Sequence, residues 1–182
     1  MLTFAAEVPF RPKNKIFVLS LRCFSARIKS SPKIVMASLR SPKFRFALVV
    51  SLFNREYTDA LLASAQAALK GHENKVVRVP GAFEIPLQVQ RLACARRYDA
   101  ILALGVIWQG KTLHAMEILR ATTDALMRVS LETDVPVVHE VLAVANEAEA
   151  RARCMGTKLN RGNEAAQAAL ALALLDVAKR SS

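Results

Sequence analysis

From Phe46 onward, short apolar runs alternate with longer stretches in which apolar residues recur every three or four positions. Phe46-Ala-Leu-Val-Val-Ser-Leu52 is a continuous apolar run of strand length, the pattern of a strand covered on both faces. Asn54 and Thr58 are start signals for a helix over about 57–70, with Tyr57, Leu61, Leu62, Ala65, Ala68 and Leu69 on its apolar face and Gly71 at its end. Val76-Val-Arg-Val79 is a second strand, closed by Pro80-Gly81, and a helix over about 84–96 follows with Pro86 tolerated in its first turn. Ala100–Gly105 is a third strand, and a long helix over about 112–129 carries Leu113, Met116, Leu119, Leu126 and Met127. Val135-Pro-Val-Val138 opens a fourth strand reaching about Leu142, and two Ala-rich helices, about 147–155 and 162–179, complete the chain.

Strands alternating with helices at this spacing imply right-handed βαβ units. The expected fold is α/β: a three-layer αβα sandwich around a four-stranded parallel sheet, flavodoxin-like. Such folds place ligands beyond the carboxyl ends of the strands. The informative segments are therefore those just after each strand: 53–55, 80–84, 106–114 and 139–146.

Length changes this picture little: 182 residues fit one ordinary domain. No apolar run reaches the roughly 18 residues of a membrane span, so no membrane partner is expected. The formal charge of +11 suggests nucleic acid only until it is divided along the chain. Residues 1–45 carry 10 Lys/Arg against the single acid Glu7, whereas residues 46–182 carry 16 against 14. A nearly neutral body without a basic stripe is not a nucleic-acid binder. Residues 1–45 read as a basic, poorly ordered extension, either a transit peptide or sequence upstream of a true start at Met36. Three dispersed cysteines (Cys23, Cys94, Cys154) argue against a disulfide framework or a zinc site, and Cys94 and Cys154 read as small buried residues.

Gly105-Val-Ile-Trp-Gln-Gly110-Lys111-Thr112 matches the phosphate-loop expression G-x-x-x-x-G-K-[ST], between a strand and a helix. Backbone N–H groups and a helix N-terminus would grip phosphate, with Lys111 adding charge. A nucleotide triphosphatase is disfavoured by the bulky Val-Ile-Trp-Gln interior. The loop also follows the third strand rather than the first, and no later strand ends in an Asp suited to Mg²⁺. A phosphate is retained and a nucleotide is not.

Two further blocks direct the reading. Val79-Pro-Gly-Ala-Phe-Glu-Ile-Pro86 puts a tight turn, an aromatic and a carboxylate after the second strand, and Gly110-Lys-Thr-Leu-His114 puts a histidine about one turn into the third helix. With Arg151–Arg153 leading into Asn160-Arg-Gly-Asn-Glu-Ala-Ala, these resemble the lumazine synthase family of riboflavin biosynthesis, over about Phe46 to Ala178. The resemblance implies condensation of 5-amino-6-ribitylaminouracil with 3,4-dihydroxy-2-butanone 4-phosphate to 6,7-dimethyl-8-ribityllumazine, with neither metal nor organic cofactor. It implies that Phe53 stacks on the pyrimidine, that Ala82 and Phe83 hold the ribityl arm by their backbone, and that Glu84 accepts its hydroxyls. Val106, Ile107 and Trp108 would line the pyrimidine pocket, Lys111, Thr112 and Arg153 would hold phosphate, and His114 would move protons. Those types suit the chemistry, since imine formation and β-elimination of phosphate each move a proton, and a cationic, N–H-rich seat favours the leaving phosphate.

Departures from the family pattern are His139-Glu140 in place of Phe-Gly, at the expected pyrimidine-facing end of strand four, with Glu140 expected to influence the charge of His139. Lys111 and Leu113 replace smaller or hydroxylated residues, and Met116 replaces an acid. The resemblance also implies a homo-oligomer, a pentamer or a decamer of two pentamers, because Met155-Gly-Thr-Lys-Leu-Asn160 lacks a second glycine. Sites would form between subunits, Phe53 and His139 coming from one and Glu84, His114 and Arg153 from the other, or the reverse. Riboflavin synthase is a candidate partner. The compartment would be the cytoplasm of a bacterium, or an organelle if residues 1–45 are a transit peptide. The alternatives are a non-catalytic lumazine- or flavin-binding paralogue and, behind it, a nucleotide-binding protein.

Overall fold

The computed structural model describes residues 42–180, the side chains of 179 and 180 excepted; the expectations for residues 1–41 lie outside the described residues. The elements are β1 (Arg45–Ser51), α1 (Arg55–Ala68), β2 (Glu73–Val79), α2 (Ile85–Cys94), β3 (Ala100–Trp108), α3 (His114–Thr133), β4 (Val137–Val144), α4 (Glu147–Met155) and α5 (Arg161–Arg180). The four strands form one parallel sheet in the order β2-β1-β3-β4. The α/β sandwich expected from the alternation is the architecture found.

Alternation along the central strands divides the core in two. Phe46, Leu48, Val50, Leu102, Leu104 and Val106 face α1, α4 and α5, where Leu61, Ala65, Ala150, Ala166 and Ala169 meet them. Ala47, Val49, Ile101 and Ala103 face the opposite way, onto Ile85 and Val89 of α2 and Leu126 and Val129 of α3. β1 and β3 are buried along nearly their whole length because both faces are covered, which is why they read as unbroken apolar runs. β2 is an edge strand, and it starts at Glu73 rather than Val76 because an edge tolerates the polar Glu73-Asn74-Lys75 lead-in.

The close approach of α5 to α1 depends on Gly162, where a Cβ would collide with the Leu61 carbonyl. Cys154 is buried and its thiol is pushed up to about 11 by desolvation, whereas Cys94 is exposed, contrary to expectation, because it closes α2 on its outer side. α3 also differs from its expected apolar stripe: Leu113, Met116 and Met127 face outward, and Ala115, Thr122, Leu126 and Val129 are its buried residues.

Candidate active site

β3 is the longest strand, and its length creates the site. It pairs with β1 only as far as Leu104 opposite Val50, yet continues beside β4 to Trp108 opposite Val144. The last four residues of β3 therefore run beyond its pairing with β1 and form one wall of a step. The turn after β1 (Phe53, Asn54), the turn after β2 (Gly81–Glu84) and the start of α3 close around this step. The result is a cavity of about 400 Å³, within the range of small-molecule sites. Phe53, Ala82, Phe83, Glu84, Val106, Ile107, Trp108 and His114 all line it. Asn54, Gly81, Ala115 and Ile118 line it too, and of these Asn54 and Gly81 lay within segments that the strand-end rule singles out.

Each group is held by its local chemistry. Phe53 is 69% exposed, its amide bonded to the Pro80 carbonyl at 3.0 Å, so its ring is presented rather than packed. Glu84 occupies the N-cap position of α2, and its Oε2 accepts the Gly81 N–H at 2.8 Å. A Cβ at 81 would sit 2.9 Å from the same oxygen, so a side chain there would push the carboxylate aside. A carboxylate has about four acceptor positions, so one amide leaves Glu84 able to take hydroxyl donors. His114 is the first residue of α3 rather than one turn in, exposed at the mouth of the cavity and close to the unsatisfied N–H groups of the helix start.

The phosphate-loop expression does not fold as a phosphate loop. Val106, Ile107 and Trp108 are strand residues in register with Leu142, Ala143 and Val144, so the segment cannot wrap its amides around an anion. Lys111 and Thr112 lie in the exposed turn before α3, beside His114 in sequence but outside the cavity lining. Arg153 is also outside it, paired through Nε to Glu149 at 2.9 Å on α4. His139 is half-buried in β4 with Nε2 3.0 Å from Thr123 Oγ1, again away from the cavity. The chain thus unites Phe53 with Glu84 and His114, not with His139 as the expected division between subunits had it.

The model of the family described as 6,7-dimethyl-8-ribityllumazine synthase matches residues 43–176. A protein of that name from Xanthomonas oryzae pv. oryzae (strain PXO99A) is 42% identical over 139 residues, covering 74% of this chain and 90% of its own length. Another from Stenotrophomonas maltophilia (strain R551-3) is 43% identical over 138 residues, covering 72% and 89%. The chain belongs to the lumazine synthase family.

Within this lumazine synthase-family domain, the two departures on β4, His139 and Glu140, each have a partner. Glu140 is 4% exposed and accepts Arg161 Nε at 2.8 Å, and Arg161 also holds Glu164. Burial raises the Glu140 carboxyl above its ordinary range, against the opposing pull of Arg161. Burial alone lowers His139, and Glu140 plays no part, because successive strand residues face opposite sides of the sheet. The influence of Glu140 on His139 expected from sequence is absent. Among the described residues no group of three or more His, Cys, Asp or Glu is arranged to hold a metal ion, and no helix is long and apolar enough to cross a membrane.

Proposed function

We propose that this chain condenses 5-amino-6-ribitylaminouracil with 3,4-dihydroxy-2-butanone 4-phosphate, giving 6,7-dimethyl-8-ribityllumazine, phosphate and two waters. The observation that carries the reading is that Glu84 and His114, from different crossovers, open onto one cavity with the exposed ring of Phe53. Phe53 and the strand wall seat the pyrimidine. The 82–84 turn holds the ribityl arm through backbone groups and the Glu84 carboxylate.

The amine of the uracil adds to the ketone carbonyl, and the carbinolamine loses water to give an imine. Phosphate then leaves by β-elimination, the resulting enol tautomerises to a ketone, and the ribityl-bearing nitrogen closes the ring onto that carbonyl with loss of a second water. At each step His114 takes or returns a proton, since an imidazole exchanges both forms near neutral pH. The N-terminus of α3, with Lys111 and Thr112 in the turn before it, faces the departing phosphate with N–H groups and positive charge. Much of the acceleration is proximity, because both reactants are already reactive in water.

A homo-oligomer completes this reading. Phe83, Leu87, Met116 and Met127 are exposed apolar side chains on α2, α3 and the adjoining turn, and a second subunit covering that face brings its own Arg153 and His139 toward a neighbour's cavity. Purified protein mixed with both substrates should accumulate the lumazine; enzyme-independent rates at saturation would leave only a binding role.

A further inference from the structure

Asn54 stands at the N-cap position of α1 with left-handed backbone angles (φ 58°, ψ 44°), but its side chain makes no capping bond. Its amide instead spans to β3 at both ends. Nδ2 donates to the Val106 carbonyl at 2.7 Å, and Oδ1 accepts the Trp108 indole N–H at 2.9 Å. This pair of bonds fixes the orientation of the amide, because rotating it would set donor against donor and acceptor against acceptor.

The need for such a bridge follows from the stagger of the strands. Ile101 and Gln109 direct their amides toward β4, so the even-numbered residues of β3 direct theirs toward β1. β1 stops pairing with β3 at Val50, leaving Val106 and Trp108 facing the space above it. Asn54 fills that space. It also pins the indole on the α1 side of the cavity, where the ring stands edge-on to Tyr57 with centroids 5.5 Å apart and planes at 85°. Ile107, Ala115 and Ile118 line the cavity with the α3 face behind them, and Trp108 is the only tryptophan in the chain.

We infer that Asn54 is a positioning residue: by holding both the Val106 carbonyl and the Trp108 indole, it sets the wall against which the ring of the heteroaromatic substrate seats, and leaves the phosphorylated ketone untouched. This deepens the proposed function and takes from it only the identity of the ring-bearing ligand.

The test compares Asn54→Ala, Trp108→Phe and the double variant with the unaltered chain. Asn54→Ala should raise KM for the aminouracil about fivefold, as both bonds are lost but the substrate feels them only through the displaced wall. KM for the phosphorylated ketone should stay unchanged, and the tryptophan emission should move to longer wavelength. Trp108→Phe keeps an aromatic wall but lacks the N–H, so it should shift KM in the same direction, and the double variant should add little to either. Equal shifts in both KM values, a fall in kcat alone, or fully additive single effects would overturn the inference. An activity-free readout separates its failure from that of the function: titration with 6,7-dimethyl-8-ribityllumazine, followed by quenching of Trp108, should give weaker binding for Asn54→Ala even in a chain that makes no product. Equal affinities would overturn the inference alone.

Discussion

His139 and Glu140 are consecutive residues of β4 whose side chains never meet: the imidazole reaches Thr123 on α3, and the carboxylate reaches Arg161 at the start of α5. The Thr123 hydroxyl already donates to the Leu119 carbonyl at 2.8 Å, so its oxygen receives the His139 Nε2–H, which assigns the tautomer of the neutral ring. The two residues then respond to pH in opposite senses.

Burial holds His139 below its ordinary value of 6.5. As pH falls, the unfolded chain takes up the proton first, so the stability tied to a neutral His139 is present above about 6.5 and lost as pH falls through the depressed folded value. Glu140, raised from 4.5, does the reverse: its contribution is present below that value and lost as pH rises through the raised folded one. Thermal melts of the chain and of His139→Phe between about pH 5 and about pH 7 should diverge toward acid, the variant losing less. Parallel curves would show that the imidazole is solvated.

His114→Ala should slow lumazine formation by about 10–100-fold without abolishing it, because general acid–base transfer accounts for only part of the acceleration. Single-turnover rates at saturating substrates measure this directly. Complete loss would mean that the histidine does more than shuttle protons.

Replacing Glu84 separates its two tasks. Glu84→Gln keeps an oxygen that can accept the Gly81 N–H but removes the charge, whereas Glu84→Ala removes both the turn bond and the hydroxyl acceptor. Steady-state KM for the ribityl-bearing substrate should rise about tenfold in Glu84→Ala and less in Glu84→Gln. If both variants bind as well as the parent, the carboxylate only closes its own turn.

Gly162→Ala places a methyl against the Leu61 carbonyl and should cost about 1–3 kcal/mol, read as a Tm lower by several degrees. Gly110→Ala is the control, since nothing lies within 4 Å of a Cβ there. Equal Tm values for the two variants would place α5 farther from α1.

The strands of the core were legible because burial on both faces leaves a run of apolar residues and no other signal. Element ends were harder. Val106-Ile107-Trp108 lay inside an expression that spells a loop, and only pairing with Leu142–Val144 turns it into strand. Phe53, Glu84 and His114 could be placed at one sheet edge from sequence because each follows a strand. Asn54 was visible as a helix-start signal inside a strand-end segment but not as a bridge, since the partners of an amide on β3 depend on how far two strands overrun each other. For the same reason nothing local in sequence links Glu140 to Arg161 across twenty-one positions.

The overrun of β3 also shapes how this enzyme family member can diverge. Position 108 alters the side of the slot that adjoins α1, and position 107 alters the side that adjoins α3, with the shared backbone between them held in its ladder. Each side can be recast by single substitutions without disturbing its counterpart, so the slot can change shape while Glu84 and His114 stay in place.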